Sequence, residues 1–167
     1  TLTQLSGEYR IDVERPKDAL PGRGGIDVDF KPSLVGSMSG VRSYMEKYPY
    51  SCLEQSVSKS VALRDSALWN GVAEELPAYL DSQGLLKYFP IMTTGSDVLT
   101  SYVLSIAKAA GYSVPEDTRR RMMDGLRGFV EGRVVRHSSL PTVDLAIRKL
   151  SAIEALSREG KASASML

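Results

Sequence analysis

The hydrophobic period of this chain changes near Pro32, and that change divides it into two kinds of structure. Before it, Tyr9-Arg-Ile11-Asp-Val13-Glu14 and Ile26-Asp-Val28-Asp-Phe30-Lys31 alternate apolar and polar residues. A two-residue repeat built from β-branched and aromatic side chains predicts half-buried strands. Between them runs a connection rich in turn formers, from Pro16 to Gly25. Two strands do not make a stable sheet alone, so these two require pairing partners from elsewhere.

Beyond Pro32 the apolar residues recur at helical spacing. Helices are predicted at residues 39–47, with Val41, Tyr44 and Met45 on one side, and from Ser51-Cys52 to Asp65, with Leu53, Val57 and Val61 on one face. Pro49 separates the two, because the residue before a proline disfavours helix. Ser66 is placed to cap a short helix through Leu68 and Val72. Leu76-Pro77-Ala-Tyr-Leu80 reads as another, with proline in its first turn and Gly84 as its stop. The clearest helix opens at Gly95-Ser96-Asp97, carries Val98, Leu99, Tyr102, Val103 and Ile106, and stops at Gly111. The next starts at Ser113-Val-Pro115-Glu116-Asp117, where two acids favour a helix N-terminus, and its stripe is Met122, Met123, Leu126, Phe129 and Val130. Ser139-Leu-Pro141 opens the last, with Val143, Ile147, Leu150 and Ile153. Short links favour antiparallel neighbours. The expected architecture is mainly α, with antiparallel helix pairs preceded by a short two-strand segment.

Composition narrows the chemistry. Of 167 residues, one is Cys and one is His, which rules out an internal disulfide, a cysteine-built zinc or iron–sulfur site and a multi-histidine metal triad. No cofactor or metal is expected. A net charge of +1 gives no general basis for nucleic-acid binding. No run approaches the length of a membrane span. The start, Thr1-Leu-Thr-Gln-Leu5, has neither the basic nor the apolar stretch of a signal peptide, and the chain reads as a mature product or a piece of something longer.

Several clusters have plain readings. Gly22-Arg-Gly-Gly25 lacks the Lys-Ser/Thr of a phosphate loop and reads as a turn. Arg119-Arg120-Arg121 reads as a solvated helix face. Met122 and Met123 read as core. His137 reads as a surface-loop histidine; its alternative role is as a base for Cys52 in a cysteine-nucleophile enzyme.

Cys52 has sharper surroundings, Tyr48-Pro-Tyr50-Ser-Cys52-Leu-Glu54-Gln55. The plain reading is an inert buried thiol in a helical interaction module. The spacing offers another. A cysteine in the first turn of a helix and a glutamine three residues on share a face, and a helix N-terminus favours thiolate. Attack of that sulfur on the carboxamide, with loss of ammonia, makes an internal thioester. Such a bond needs dry surroundings, which Tyr48 and Tyr50 are placed to supply. By chance, Glu and Gln follow a given cysteine at these two positions on the order of once in several hundred.

This octet resembles the Cys-x-Glu-Gln thioester motif of the alpha-2-macroglobulin and complement superfamily, and its Tyr-Pro-Tyr lead resembles the bacterial branch. Pro32-Ser-Leu34, Gly95-Ser-Asp-Val-Leu-Thr-Ser-Tyr102 and Gly111-Tyr-Ser-Val-Pro-Glu-Asp117 fit the same branch. The resemblance implies that residues 1–34 are strands of an adjoining CUB-like domain. It implies that residues 35–167 are the N-terminal portion of a helical thioester domain, an incomplete α/α toroid. It implies a bond between Cys52 and Gln55, with Tyr48, Tyr50 and Glu54 shielding or positioning it.

The implied function is broad-spectrum protease trapping: a lysine amine of the trapped protease takes the acyl group of Gln55 in a single-use transfer, so the protein is an inhibitor rather than an enzyme. The implied partners are target proteases and the other macroglobulin-like domains of a parent protein. The implied setting is the periplasm, with the parent anchored to the inner membrane as a lipoprotein. Helix faces left open in half a toroid predict self-association. Two departures stand out. Ser51 replaces the glycine that precedes the cysteine in many animal members. The histidine that redirects some complement components to hydroxyls falls beyond Leu167, and His137 does not match it.

Overall fold

The computed structural model describes residues 6–14, 16–26, 28, 30 and 39–166. The chain forms two compact units, Thr1–Ser37 and Met38–Leu167.

In the first unit no strand is formed among the described residues, and Asp27, Asp29 and Lys31 of the second expected strand lie outside them. Tyr9, Ile11, Val13, Ile26, Val28 and Phe30 all stand exposed. The alternation that predicts strands requires a sheet to receive its apolar face, and the described residues supply none. Turns close at Ala19 N–H to Pro16 O (3.0 Å) and Arg23 N–H to Leu20 O (3.2 Å), and Gly22 and Gly24 adopt positive φ, as the turn reading of the glycine cluster expects. The stretch around Pro32-Ser-Leu34 lies outside the described residues.

The second unit is helical, as expected: α1 Ser39–Glu46, α2 Leu53–Leu63, α3 Ser66–Tyr79, α4 Asp97–Ala110, α5 Glu116–Val130 and α6 Asp144–Arg158, with a final 3-10 turn at Ala164–Met166. Consecutive helices pack as neighbours (α1 on α2, α2 on α3, α4 on α5, α5 on α6), and α4 also packs on α2 and α6. The core lies between them, centred on Trp69, Leu76, Leu99, Leu104, Met122, Leu126, Phe129 and Leu156, all essentially without solvent exposure. Trp69 stacks on Tyr112 at 5.0 Å and donates its indole N–H to Ser113 O, so the indole's one polar atom is satisfied inside the fold.

Local capping signals account for most boundaries. Ser96 accepts from Leu99 N–H to open α4, and Gly111 closes it in the left-handed conformation. Asp65, rather than Ser66, caps α3, accepting from Ala67 and Leu68 N–H. The two short helices expected across residues 66–80 are one: α3 runs unbroken to Tyr79 with Pro77 in its last turn. A proline there forfeits a single hydrogen bond, and burial of Trp69, Ala73 and Leu76 along one face carries the helix past it. α6 starts at Asp144, later than Ser139-Leu-Pro141.

The connection from Leu80 to Ser96 holds no regular element but is firmly specified. Buried Asp81 accepts from Gln83 and Leu85 N–H through Oδ1 (2.9 Å each), and from Gly95 N–H (2.8 Å) and the Arg136 guanidinium (2.7 Å) through Oδ2. Arg136 also donates to Gly95 O and Gln83 Oε1. Isolated antiparallel bridges join Leu86 to Leu80 and to Ser96. Gly84 sits at φ +84, where a Cβ would fall 2.2 Å from Arg121 O. Only glycine meets both demands.

Candidate functional site

Cys52 stands at the N-cap of α2, one position before the first helical turn in which it was expected. Its backbone is extended (φ −67, ψ 161), and the chain turns into helix at Leu53. Gln55 is the third helical residue, N3, and the two residues form a reciprocal capping box. The Cys52 side chain faces the backbone N–H of Gln55, and the Cys52 N–H donates to Gln55 Oε1 at 3.3 Å. This is the geometry of a Ser-x-x-Glu helix start, with sulfur and carboxamide in the two side-chain places. Cys52 and Gln55 therefore meet through the cap rather than along a shared helix face.

Two features of the arrangement are chemical. Sulfur accepts hydrogen bonds weakly compared with a hydroxyl oxygen, so cysteine is a poor choice for a cap that serves stability alone. The Cys52 N–H, in turn, points at the carbonyl oxygen that would gather negative charge if a nucleophile attacked Cδ of Gln55. A donor aimed at a developing oxyanion is worth more in the transition state than in the ground state.

The surroundings are dry on one side and open on the other. Cys52 is 8% exposed, and Leu53 and Val57 behind it are fully buried. Gln55 is half-buried and Glu54 exposed. Tyr48 is half-buried, its ring 5.3 Å from Tyr44 and 5.3 Å from Tyr50, against which it sits edge-on. Tyr50 is 65% exposed. His137 is exposed, its carbonyl accepting from Arg148, and no hydrogen bond joins it to Cys52.

The structure adds two tyrosines that the sequence did not single out. The Leu53 N–H, in the first turn of α2, donates to Tyr88 O at 3.0 Å, which sets Tyr88 beside the cap. Tyr79, at the end of α3, accepts the Lys87 N–H at 2.8 Å and so lies next to Tyr88. Both rings are half-buried against the core. Burial pushes the Tyr88 phenol above its ordinary value of 10.0; the charge of Glu54 adds to this, a hydrogen bond with Ser96 opposes it, and Cys52 and Asp97 contribute further. Tyr79 rises through burial, then Glu75, then Cys52. Both phenols are therefore neutral at ordinary pH. Nothing local marks these tyrosines, because their proximity to Cys52 comes from the path of the 80–96 connection.

The remaining candidates fall into structural places. Met122 and Met123 are core. Arg119 is shared between Glu116 and Glu159, Arg120 pairs with Asp117, and Arg121 reaches Asp81 O. Among the described residues no three acidic, histidine or cysteine side chains converge to hold a metal, and no helix is long and apolar enough to cross a membrane.

No family model matches the sequence, and no curated protein matches it. Among solved structures, the chain is similar to native alpha-2-macroglobulin from Escherichia coli, in a crystal structure spanning domain MG7 to the C-terminus. The TM-score is 0.63 at 21% identity, over 78% of this chain and 24% of that one. The likeness establishes a shared fold, and the chain spans about a quarter of the length of that structure.

Proposed function

We propose that this chain carries the reactive centre of a protease-trapping protein of the alpha-2-macroglobulin kind, with an internal thioester between Cys52 and Gln55. The observation that carries the reading is the Cys52–Gln55 capping box, in which the Cys52 N–H engages Gln55 Oε1. The fold shared with the bacterial alpha-2-macroglobulin structure supports it.

The Cys52 sulfur attacks Cδ of Gln55, the Sγ–Cδ bond forms, the Cδ–Nε2 bond breaks, and ammonia leaves with the thiol proton. In trapping, a lysine amine of the target protease attacks the same carbonyl. An amide forms, the carbon–sulfur bond breaks, and Cys52 is released as a thiol. Each molecule reacts once, so the protein is an inhibitor that acylates its target, with amines preferred over hydroxyls. Tyr48 and Tyr50 cover the approach from the chain that precedes the cap. The parent protein belongs in the periplasm as an anchored lipoprotein, its partners being target proteases and its own neighbouring domains.

Intact mass and thiol titration test the reading. A thioester appears as a mass short by one ammonia with no free thiol. Methylamine then releases one thiol and adds at Gln55. A full-length parent protein with a free Cys52 thiol and an unmodified Gln55 overturns the proposal.

A further inference from the structure

We infer that Arg136, in the connection between α5 and α6, is a positioning residue for the Cys52–Gln55 pair. Its effect on the chemistry rests on the thioester reading; its effect on the geometry does not.

The guanidinium of Arg136 ties together the two ends of another connection. Its three nitrogens donate to Asp81 Oδ2, Gln83 Oε1 and Gly95 O, each at 2.7 Å. Asp81 and Gln83 begin the stretch from Leu80 to Ser96, and Gly95 ends it. The Arg136 side chain is 10% exposed and that of Asp81 3%. These bonds therefore form away from water, where a charge-assisted hydrogen bond is strong and a broken one is costly. A lysine would not replace Arg136, because an ammonium is a single point charge and lacks the planar fork that reaches several acceptors at once.

The middle of the same stretch touches the reactive pair. The first N–H groups of a helix have no partner within it. In α2 that of Leu53 finds one in Tyr88 O, at 3.0 Å, one residue past the Cys52 cap. Leu86, two residues before Tyr88, bridges to both Leu80 and Ser96, so Tyr88 O keeps its place while the two ends stay together. The direction in which α2 starts, and with it the capping box that brings the Cys52 sulfur to Gln55, thus depends on a side chain far along the sequence. Arg136 acts through the backbone of the 80–96 connection, as a staple across its base.

Amide hydrogen exchange at Leu53, read by NMR, measures the position. The fraction of chain whose mass is short by one ammonia measures the chemistry. Arg136→Met is expected to speed Leu53 exchange about 10-fold, through more frequent local opening. Ser60, buried further along α2, exchanges as before. The ammonia-short fraction falls about 3-fold, because sulfur and carboxamide are held in register less often. Arg136→Lys keeps the charge but not the fork and speeds Leu53 exchange about 3-fold. It takes the place of Arg136→Met should far-UV circular dichroism show that the latter loses its helices. Arg119→Met breaks the pair with Glu159 at the other end of α5 and leaves Leu53 exchange unchanged. A helical Arg136→Met or Arg136→Lys chain with the unaltered Leu53 rate overturns the proposal. Arg119→Met speeding Leu53 as much also overturns it, because the effect is then a general loss of stability. Faster exchange with an unaltered ammonia-short fraction overturns the chemical role. An unaltered chain that never loses ammonia counts against the thioester, and the exchange rates still decide the positioning.

Discussion

The backbone N–H of Cys52 donates to the side-chain oxygen of Gln55 at 3.3 Å, across the first turn of α2. One contact thus ties the start of a helix to the pair of side chains that the sequence marks as reactive. The same hydrogen bond closes a capping box and polarises a carboxamide, so a change at Gln55 has both a structural and a chemical consequence.

Gln55→Ala separates the two. It removes the N3 partner of the box and is expected to lower stability by about 1 kcal/mol, the usual scale for a lost cap interaction, as read from the urea midpoint. It also abolishes methylamine incorporation. Gln55→Glu retains an oxygen for the Cys52 N–H and most of the stability, yet incorporates no methylamine, because a carboxylate resists attack by a thiolate.

Two glycines with similar backbones differ in what surrounds them. Gly84 and Gly111 both adopt positive φ, but a Cβ on Gly84 meets Arg121 O at 2.2 Å, while Gly111 has open space. Gly111→Ala is expected to cost about 1 kcal/mol for the left-handed conformation alone. Gly84→Ala adds a clash with backbone and costs roughly 3 kcal/mol or more. Thermal unfolding of the two variants side by side checks the order; equal losses would mean that the approach of the Gly84 turn to α5 relaxes freely.

Arg148 holds a nearly inaccessible Asp97 through two hydrogen bonds, at 2.9 and 2.5 Å, and its guanidinium lies 5.6 Å from the centre of the Phe129 ring. Arg148→Met leaves that carboxylate buried without a partner and is expected to cost about 3–5 kcal/mol. Adding Asp97→Asn recovers part of the loss, because a neutral amide is cheaper to bury. A double variant no more stable than Arg148→Met alone, in chemical denaturation, contradicts this account.

Acid weakens the last helix. A hydrogen bond from Ser138, and then the Arg148 guanidinium, hold the Asp144 carboxyl below its ordinary value of 3.8. Ser105, and then Arg158, hold Glu154 below 4.5 against the effect of burial. A carboxyl whose folded value is lowered stabilises fully above its unfolded value, and loses that contribution as pH falls through the folded one. Melting temperature is therefore expected to be flat above pH of about 5 with respect to these groups and to fall below about 4. Asp144→Asn shallows the acid limb, and melting curves across that range measure it.

The helical body was legible wherever its signals are local. Ser96 and Gly111 bracket α4, Pro115-Glu116-Asp117 opens α5, and the stripe from Met122 to Val130 is buried as its spacing requires. Caps and periodicity depend on residues a few positions apart, so they survive in a bare sequence. The misreadings came where a local signal met a distant contact. Pro77 reads as a helix start until burial of Trp69, Ala73 and Leu76 shows one helix running through it. The alternation at Tyr9–Val13 predicts a strand that needs a pairing partner from elsewhere, and the described residues hold no such partner.

For the candidate site, the sequence by itself determined which pair of side chains meets, because a sulfur and a carboxamide three residues apart at a helix start come together through short-range geometry alone. Only the tertiary structure decided what surrounds that pair. Tyr88 reaches the cap because Asp81, Arg136 and Thr100 fix the course of the 80–96 connection, and Tyr79 because α3 ends beside it. Those bonds join residues far apart in the chain, and their loop-closure entropy is offset only when the whole core is assembled. No stretch of the sequence read alone therefore carries their mark.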